Sequence, residues 1–181
     1  VVAAVVGAFM GPSLASVLSP GTLLILLVLL IGGIVIFCFW ALSSNKSGAK
    51  ADTAAIADAR TMQAPTGKAR IYVTRRGIVA ALQGMNVTLD GAAKGQIKSG
   101  QMLIADVEPG QHRLHIATAK AKLAHPAEFD IDVSAGGVVV IGAMIEMGAL
   151  KGSIKLERLD AAKAREDVHA TKLILWEVPP T

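Results

Sequence analysis

Gly21–Leu42, GTLLILLVLLIGGIVIFCFWAL, constrains this chain more than any other stretch. It holds 22 residues and no charge. As an α-helix rising about 1.5 Å per residue it reaches roughly 33 Å, enough to cross a hydrocarbon core of about 30 Å. The first charged residue is Lys46, so all 18 basic and all 14 acidic side chains fall in 46–181. The chain therefore reads as a membrane anchor (1–42), a linker (43–68) and an extrinsic domain (69–181).

A second apolar segment, Val1–Leu18, precedes the main one. Ala3, Gly7 and Gly11 recur every four residues and share one helix face. Such small-residue faces let membrane helices approach closely, and Gly32 and Gly33 on the main span are taken as packing positions too. Ser19-Pro20-Gly21 reads as a tight turn. Two arrangements stay open, a helical hairpin and a single span over 21–42; the small-residue face favours the hairpin. A secretory signal peptide fits poorly, since no basic n-region precedes the stretch and its apolar core is too long. Cys38 follows bulky Val35-Ile36-Phe37 and reads as a buried apolar residue, not a lipidation site.

Phe37, Phe39 and Trp40 near the end of the span match an interfacial aromatic belt, with Lys46 and Lys50 just beyond it. With basic residues on this side only, the positive-inside rule puts the extrinsic domain in the cytoplasm of a bacterial inner membrane. The apolar segments carry no ionisable group, which argues for anchoring and packing over ion or proton transport. The partners expected are the lipid bilayer and other membrane-protein subunits. A net charge of +4 with 4% aromatic residues does not suit a nucleic-acid binder.

In 43–68, Ser, Gly and Lys lead into Ala51–Met62, whose composition suits a short helix without a strong apolar stripe. From Arg70 the apolar period becomes two, with Ile71, Val73 and Arg75 alternating against Tyr72, Thr74 and Arg76. Further strands are expected at 84–90, 101–107, 111–118, 127–133, 136–145 and 153–158, with a last one at 172–178. The continuous apolar run of 136–145 suits a central strand buried on both faces. Asp160 is a plausible cap for a helix to Thr171. The expected fold is thus one transmembrane helix or a hairpin, then a small antiparallel β-sandwich of seven to eight strands with a short C-terminal helix. Asp90-Gly91 and Pro109-Gly110 are read as its structural turns.

Residues 67–117 resemble a bacterial family of small envelope lipoproteins of unknown function, whose β-sandwich is similar to the PEGA repeat domain. The matching residues are Ile71-Tyr72-Val73 with Arg75, Val87 to Gly91, Gly95, Gly100, and Glu108-Pro109-Gly110 with His112. The tail Gly152–Leu173 looks like that family's closing strand and helix. The resemblance implies a PEGA-like or Ig-like sandwich over about 69–175 that binds or spaces instead of catalysing. It also implies a periplasmic domain, against the cytoplasmic one that the lysines suggest. The span stands where those relatives have a lipid anchor.

No catalytic, cofactor-binding or metal-binding set emerges. His112 and His115 point to opposite strand faces, and His125 and His169 belong to a loop and a helix. His112 is expected to support the Pro109-Gly110 turn. Asp130 with Asp132, and Asp106 with Glu108, read as solvated carboxylates and supply too few oxygens for Ca²⁺. Neither a GxxxxGK[ST] phosphate loop nor a Gly-x-Ser-x-Gly elbow occurs. Arg75 and Arg76, beside Lys68 and Arg70, are singled out as a contact patch for anionic headgroups or an acidic partner. Three functions are weighed: an accessory subunit of a larger membrane complex such as an energy-converting assembly, a tethered recognition module for peptide, glycan or headgroup, and, last, a metal-dependent hydrolase.

Overall fold

Ser19, expected inside a turn, instead caps a helix. Its hydroxyl accepts from the Thr22 N–H at 3.2 Å, and Pro20 takes the first helical position, where its missing N–H has no intrahelical use. In the computed structural model this helix, α1 (Pro20–Leu42), runs 23 residues without charge. The structure describes residues 19–43, 45–46, 48–120, 124–148 and 151–180. The packing face expected from Ala3, Gly7 and Gly11 lies outside them. Leucine, isoleucine and phenylalanine side chains are exposed all round α1, and a Cβ at Gly32 or Gly33 would meet no neighbour within 4 Å. A helix apolar on every face requires an apolar surrounding. With a mean hydropathy of 3.1 over its apolar window, α1 is long and apolar enough to cross a membrane. Phe37 and Trp40 pair near its end at 6.0 Å.

The chain divides after Ser43 into two units. Among the described residues the second holds two helices, α2 (Thr53–Thr61) and α3 (Ala161–Ala170), and ten strands. These are β1 (Ala69–Arg75), β2 (Met85–Leu89), β3 (Ala93–Ile97), β4 (Gln101–Val107), β5 (Gly110–Thr118), β6 (Ala124–His125), β7 (Ala127–Val133), β8 (Val138–Glu146), β9 (Gly152–Arg158) and β10 (Lys172–Leu173). They form a six-stranded sheet, β10-β4-β1-β8-β9-β6, and a four-stranded sheet, β3-β2-β5-β7. Five of the strand pairings are antiparallel, while β1–β8, β4–β10 and β6–β9 run parallel. The expected sandwich is present, with β3 and β6 beyond the strands anticipated. The last strand is shorter than expected, closing at Leu173.

Period-two alternation assigns the faces. Ile71 and Val73 of β1 point between the sheets, against Met85, Val87, Leu114, Ile116 and Ile131 of the other sheet. Tyr72 points the opposite way, into a second core with Met102, Val140, Ala59, Ala164 and Val168. The helices thus cover the outer face of the six-stranded sheet and make a third layer. β8 lies between β1 and β9, with Val139 and Ile141 in one core and Val140 in the other, the doubly buried central strand its composition implies.

The region expected as a linker is folded into the domain. Asp52 caps α2 by accepting from the Ala55 N–H at 2.7 Å. The Tyr72 hydroxyl donates to the Ala59 carbonyl at 2.7 Å, and Arg70 joins α2 to the sheet through Asp58 at 2.8 Å. Arg70 also forms a bidentate pair with Asp106 on β4, at 2.6 and 3.0 Å. Asp106, foremost, holds the Arg70 guanidinium pKa above its ordinary value. Ahead of α2, Lys50 bridges Ile174, and Leu175 N–H donates to Ala49 O at 2.8 Å. The domain therefore begins just beyond Ser43.

Candidate functional site

Arg75 organises the most distinctive surface. It shares strand parity with Ile71 and Val73, so its side chain enters the domain and is 1% exposed. Its guanidinium donates to the carbonyls of Gln83, Ala80 and Ile97. Burial pushes its pKa down to about 10. The arginine thus pins the 76–84 loop between β1 and β2 from inside. Its expected place in a contact patch is corrected: the residue is internal because parity carries it inward.

Arg76 points out but is engaged as well. Its Nη1 donates to Glu166 at 2.6 Å and Asp167 at 3.0 Å on α3, while Asp167 also accepts from the Thr74 hydroxyl at 3.3 Å. This network ties β1 to α3.

The pinned loop presents apolar side chains to solvent. Ile78 is 92% exposed and Leu82 70%, with Val79 beside them. Asn45, at the N-terminal edge of the domain, clamps the same loop. Its Nδ2 donates to Leu82 O at 2.5 Å, and its Oδ1 accepts from Gly84 N–H at 2.7 Å. Next to it, Lys46 N–H donates to Gln96 Oε1 at 2.5 Å, and Lys46 Nζ pairs with Glu177 at 2.6 Å. Lys46, expected at the membrane interface, pairs with the C-terminal segment, and both it and Lys50 are exposed. Sequence reasoning missed this surface. Its signal was the uncharged run Gly77–Gly84 directly after a doubly basic strand end.

At the far end of β2, Asp90 and Gly91 take φ of +52° and +72°, and Ala92 N–H donates to Leu89 O at 3.1 Å. Positive φ at both central positions is the hairpin geometry expected of Asp-Gly. Asp90 accepts from the Arg113 N–H at 2.8 Å and from His112 Nδ1 at 2.7 Å. His112 Nε2 lies 2.8 Å from Glu108 O. Both ring nitrogens face acceptors, so the ring fits best as imidazolium. Burial opposes that charge, but the Asp90 hydrogen bond, the Glu108 carbonyl and the Asp90 charge outweigh it and raise the His112 pKa. His112 thereby braces the turn at Pro109-Gly110, as expected, and Gly110 holds a φ of +147°.

The remaining titratable groups are dispersed. Asp130 pairs with Arg113 at 3.0 Å and Asp106 with Arg70. Among the described residues no three His, Cys, Asp or Glu side chains converge as a metal site would require. A cleft of about 500 Å³ opens between α2, α3 and β8, lined by Arg60, Arg158 and Arg165 among others. Among the described residues none of these three arginines forms an ion pair. No protein-family model matches the chain, and no curated protein matches it.

Proposed function

We propose that this protein is a non-catalytic accessory subunit of a larger bacterial membrane assembly. α1 anchors it in the inner membrane, and its three-layered domain covers an extrinsic surface of the complex on the cytoplasmic side. The observation that carries this reading is the junction. Only Ser43 and Ser44 separate α1 from Asn45, which is hydrogen-bonded into the domain. So short a junction contrasts with the long flexible tether of a domain that ranges freely. The evenly apolar surface of α1 leaves it free to pack against other membrane helices.

Purification in mild detergent, followed by crosslinking and mass spectrometry, tests this. Reproducible co-purifying membrane subunits, crosslinked to lysines of the domain, are expected. A chain that always elutes alone overturns the reading.

The arginine-lined cleft favours a second reading, a membrane-tethered recognition module for an anionic peptide, glycan or headgroup. Titration of nanodisc-embedded protein with acidic peptides and anionic glycans tests it. Saturable binding lost on replacing Arg60, Arg158 and Arg165 by alanine supports recognition, and no binding removes it.

A further inference from the structure

We infer that the 77–83 loop inserts its apolar tip into the interfacial layer of the bilayer that holds α1, giving the domain a second membrane contact. This rests on the reading of α1 as a membrane anchor.

Three independent observations lead here. The first is reach. Asn45 is three residues beyond the end of α1 and binds both Leu82 and Gly84. Three residues of chain span at most about 11 Å, which bounds the distance from the last residue of α1 to the residue that holds the loop. The second is composition. Between Arg76 and Asp90 no charged residue occurs, and Ile78, Val79 and Leu82 point into solvent from within that interval. The third is the backbone. Irregular backbone avoids hydrocarbon because its polar groups would go unpaired there. In this loop the carbonyls of Gly77, Ile78, Ala80, Ala81, Leu82 and Gln83 all accept hydrogen bonds within the domain. The donors are the Ser99 hydroxyl at 2.6 Å, Ala81 N–H at 3.2 Å, Gln83 N–H and Arg75, Ser99 N–H at 3.4 Å, Asn45, and Arg75 again. Arg75, Asn45 and Ser99, with two of the loop's own N–H groups, thus satisfy these six carbonyls from behind, while Ile78 and Leu82 face outward.

The test uses full-length protein in vesicles of phosphatidylethanolamine and phosphatidylglycerol, with and without brominated acyl chains. An environment-sensitive bimane label is placed in turn on native Cys38, on L82C and on S134C, the latter two in a C38S background. Ser134 is exposed on the β7–β8 turn and serves as the control. Labels on Cys38 and L82C are expected to be blue-shifted and quenched by bromolipid at least twofold more than the label on S134C. Quenching at Cys38 with none at L82C leaves the anchor standing and overturns the inference. A blue-shifted but unquenched label at L82C, the sign of burial against protein, overturns it too. No quenching at Cys38 defeats the anchor reading and this inference with it. Because a label at position 82 adds apolar bulk, a label on A81C in the same background repeats the measurement, and an unquenched A81C label also counts against insertion.

Discussion

The two ends of β2 are built on opposite principles. Before the strand, the 76–84 loop is held by a buried guanidinium, that of Arg75, and presents apolar side chains outward. After it, the Asp90-Gly91 turn is held by a titratable pair at the surface, Asp90 and His112, and its outer side is polar. The first end spends a desolvated charge to shape a surface with little use in water. The second follows ordinary hairpin chemistry and needs no partner. A feature costly to fold and awkward in water suggests a role outside the fold, whereas the Asp-Gly end explains itself.

Removing Arg75 is the strongest way to break the comparison. Arg75→Ala removes a side-chain donor from three carbonyls and opens space inside the domain, with an expected loss of about 3 kcal/mol or more. For a domain of this size that lowers Tm by roughly 10 °C, read by near-ultraviolet circular dichroism of the full chain in detergent. Arg75→Lys should recover only part of the loss, because one ammonium cannot reproduce the spread of a guanidinium. A loss under about 1 kcal/mol would show that the loop is not held by this side chain.

Asp90→Ala comes next. It removes the acceptor for Arg113 N–H and His112 and places a Cβ without a polar side chain at a φ of +52°. A cost of about 1–2 kcal/mol is expected in the same melt. Asp90→Asn keeps tolerance of that φ and one acceptor, so it should cost less than Asp90→Ala.

The titratable end should also depend on pH where the arginine end does not. The folded-state pKa of His112 lies above its ordinary value of 6.5. A raised pKa means the folded protein holds this proton more tightly than the unfolded chain. The stabilisation is therefore complete below about pH 6.5 and is lost as pH rises through the folded pKa. Melts of the wild type and His112→Gln between pH 5.5 and 8.5 measure this. Their Tm difference should be greatest at the acid end and shrink on going alkaline; a difference constant across the range would show that the ring is held neutral.

What the sequence disclosed follows the same division. Strands β4 and β7 appear at their expected limits because polar and apolar residues alternate cleanly in QMLIADV and AEFDIDV. The Asp-Gly turn was legible because two positive φ values in succession favour that pair. β3, AKGQI, was not legible, because Gly95 looks like a strand breaker. Its missing Cβ is a packing requirement: one there would lie 2.8 Å from Leu103 Cδ1 and 3.2 Å from Trp176 Cε3. The 43–68 region reads as a linker because α2 docks with almost no apolar stripe. Only Ala59 of it is fully buried, and the attachment comes from Tyr72 and Arg70 on the sheet. Arg75 was misjudged by residue type although its parity with Ile71 and Val73 pointed inward. The apolar loop, the Asn45 clamp and the arginine-lined cleft each depend on distant segments meeting, which no local pattern reports.

The smallest expected effect sharpens the comparison most. Ile78 and Leu82 contact little of the domain, so the double change Ile78→Ser and Leu82→Ser should alter Tm by less than the equivalent of about 0.5 kcal/mol. Exposed leucine and isoleucine are common when scattered singly, and then they need no explanation. Here they are clustered on a loop whose backbone is secured from inside and whose base is clamped three residues from α1. If the double variant melts like the wild type, fold stability does not account for these side chains, and the reason for the buried Arg75 passes to what the loop touches. A melt lowered by more than 1 kcal/mol would return both residues to the domain's own packing and dissolve the contrast between the two ends of β2.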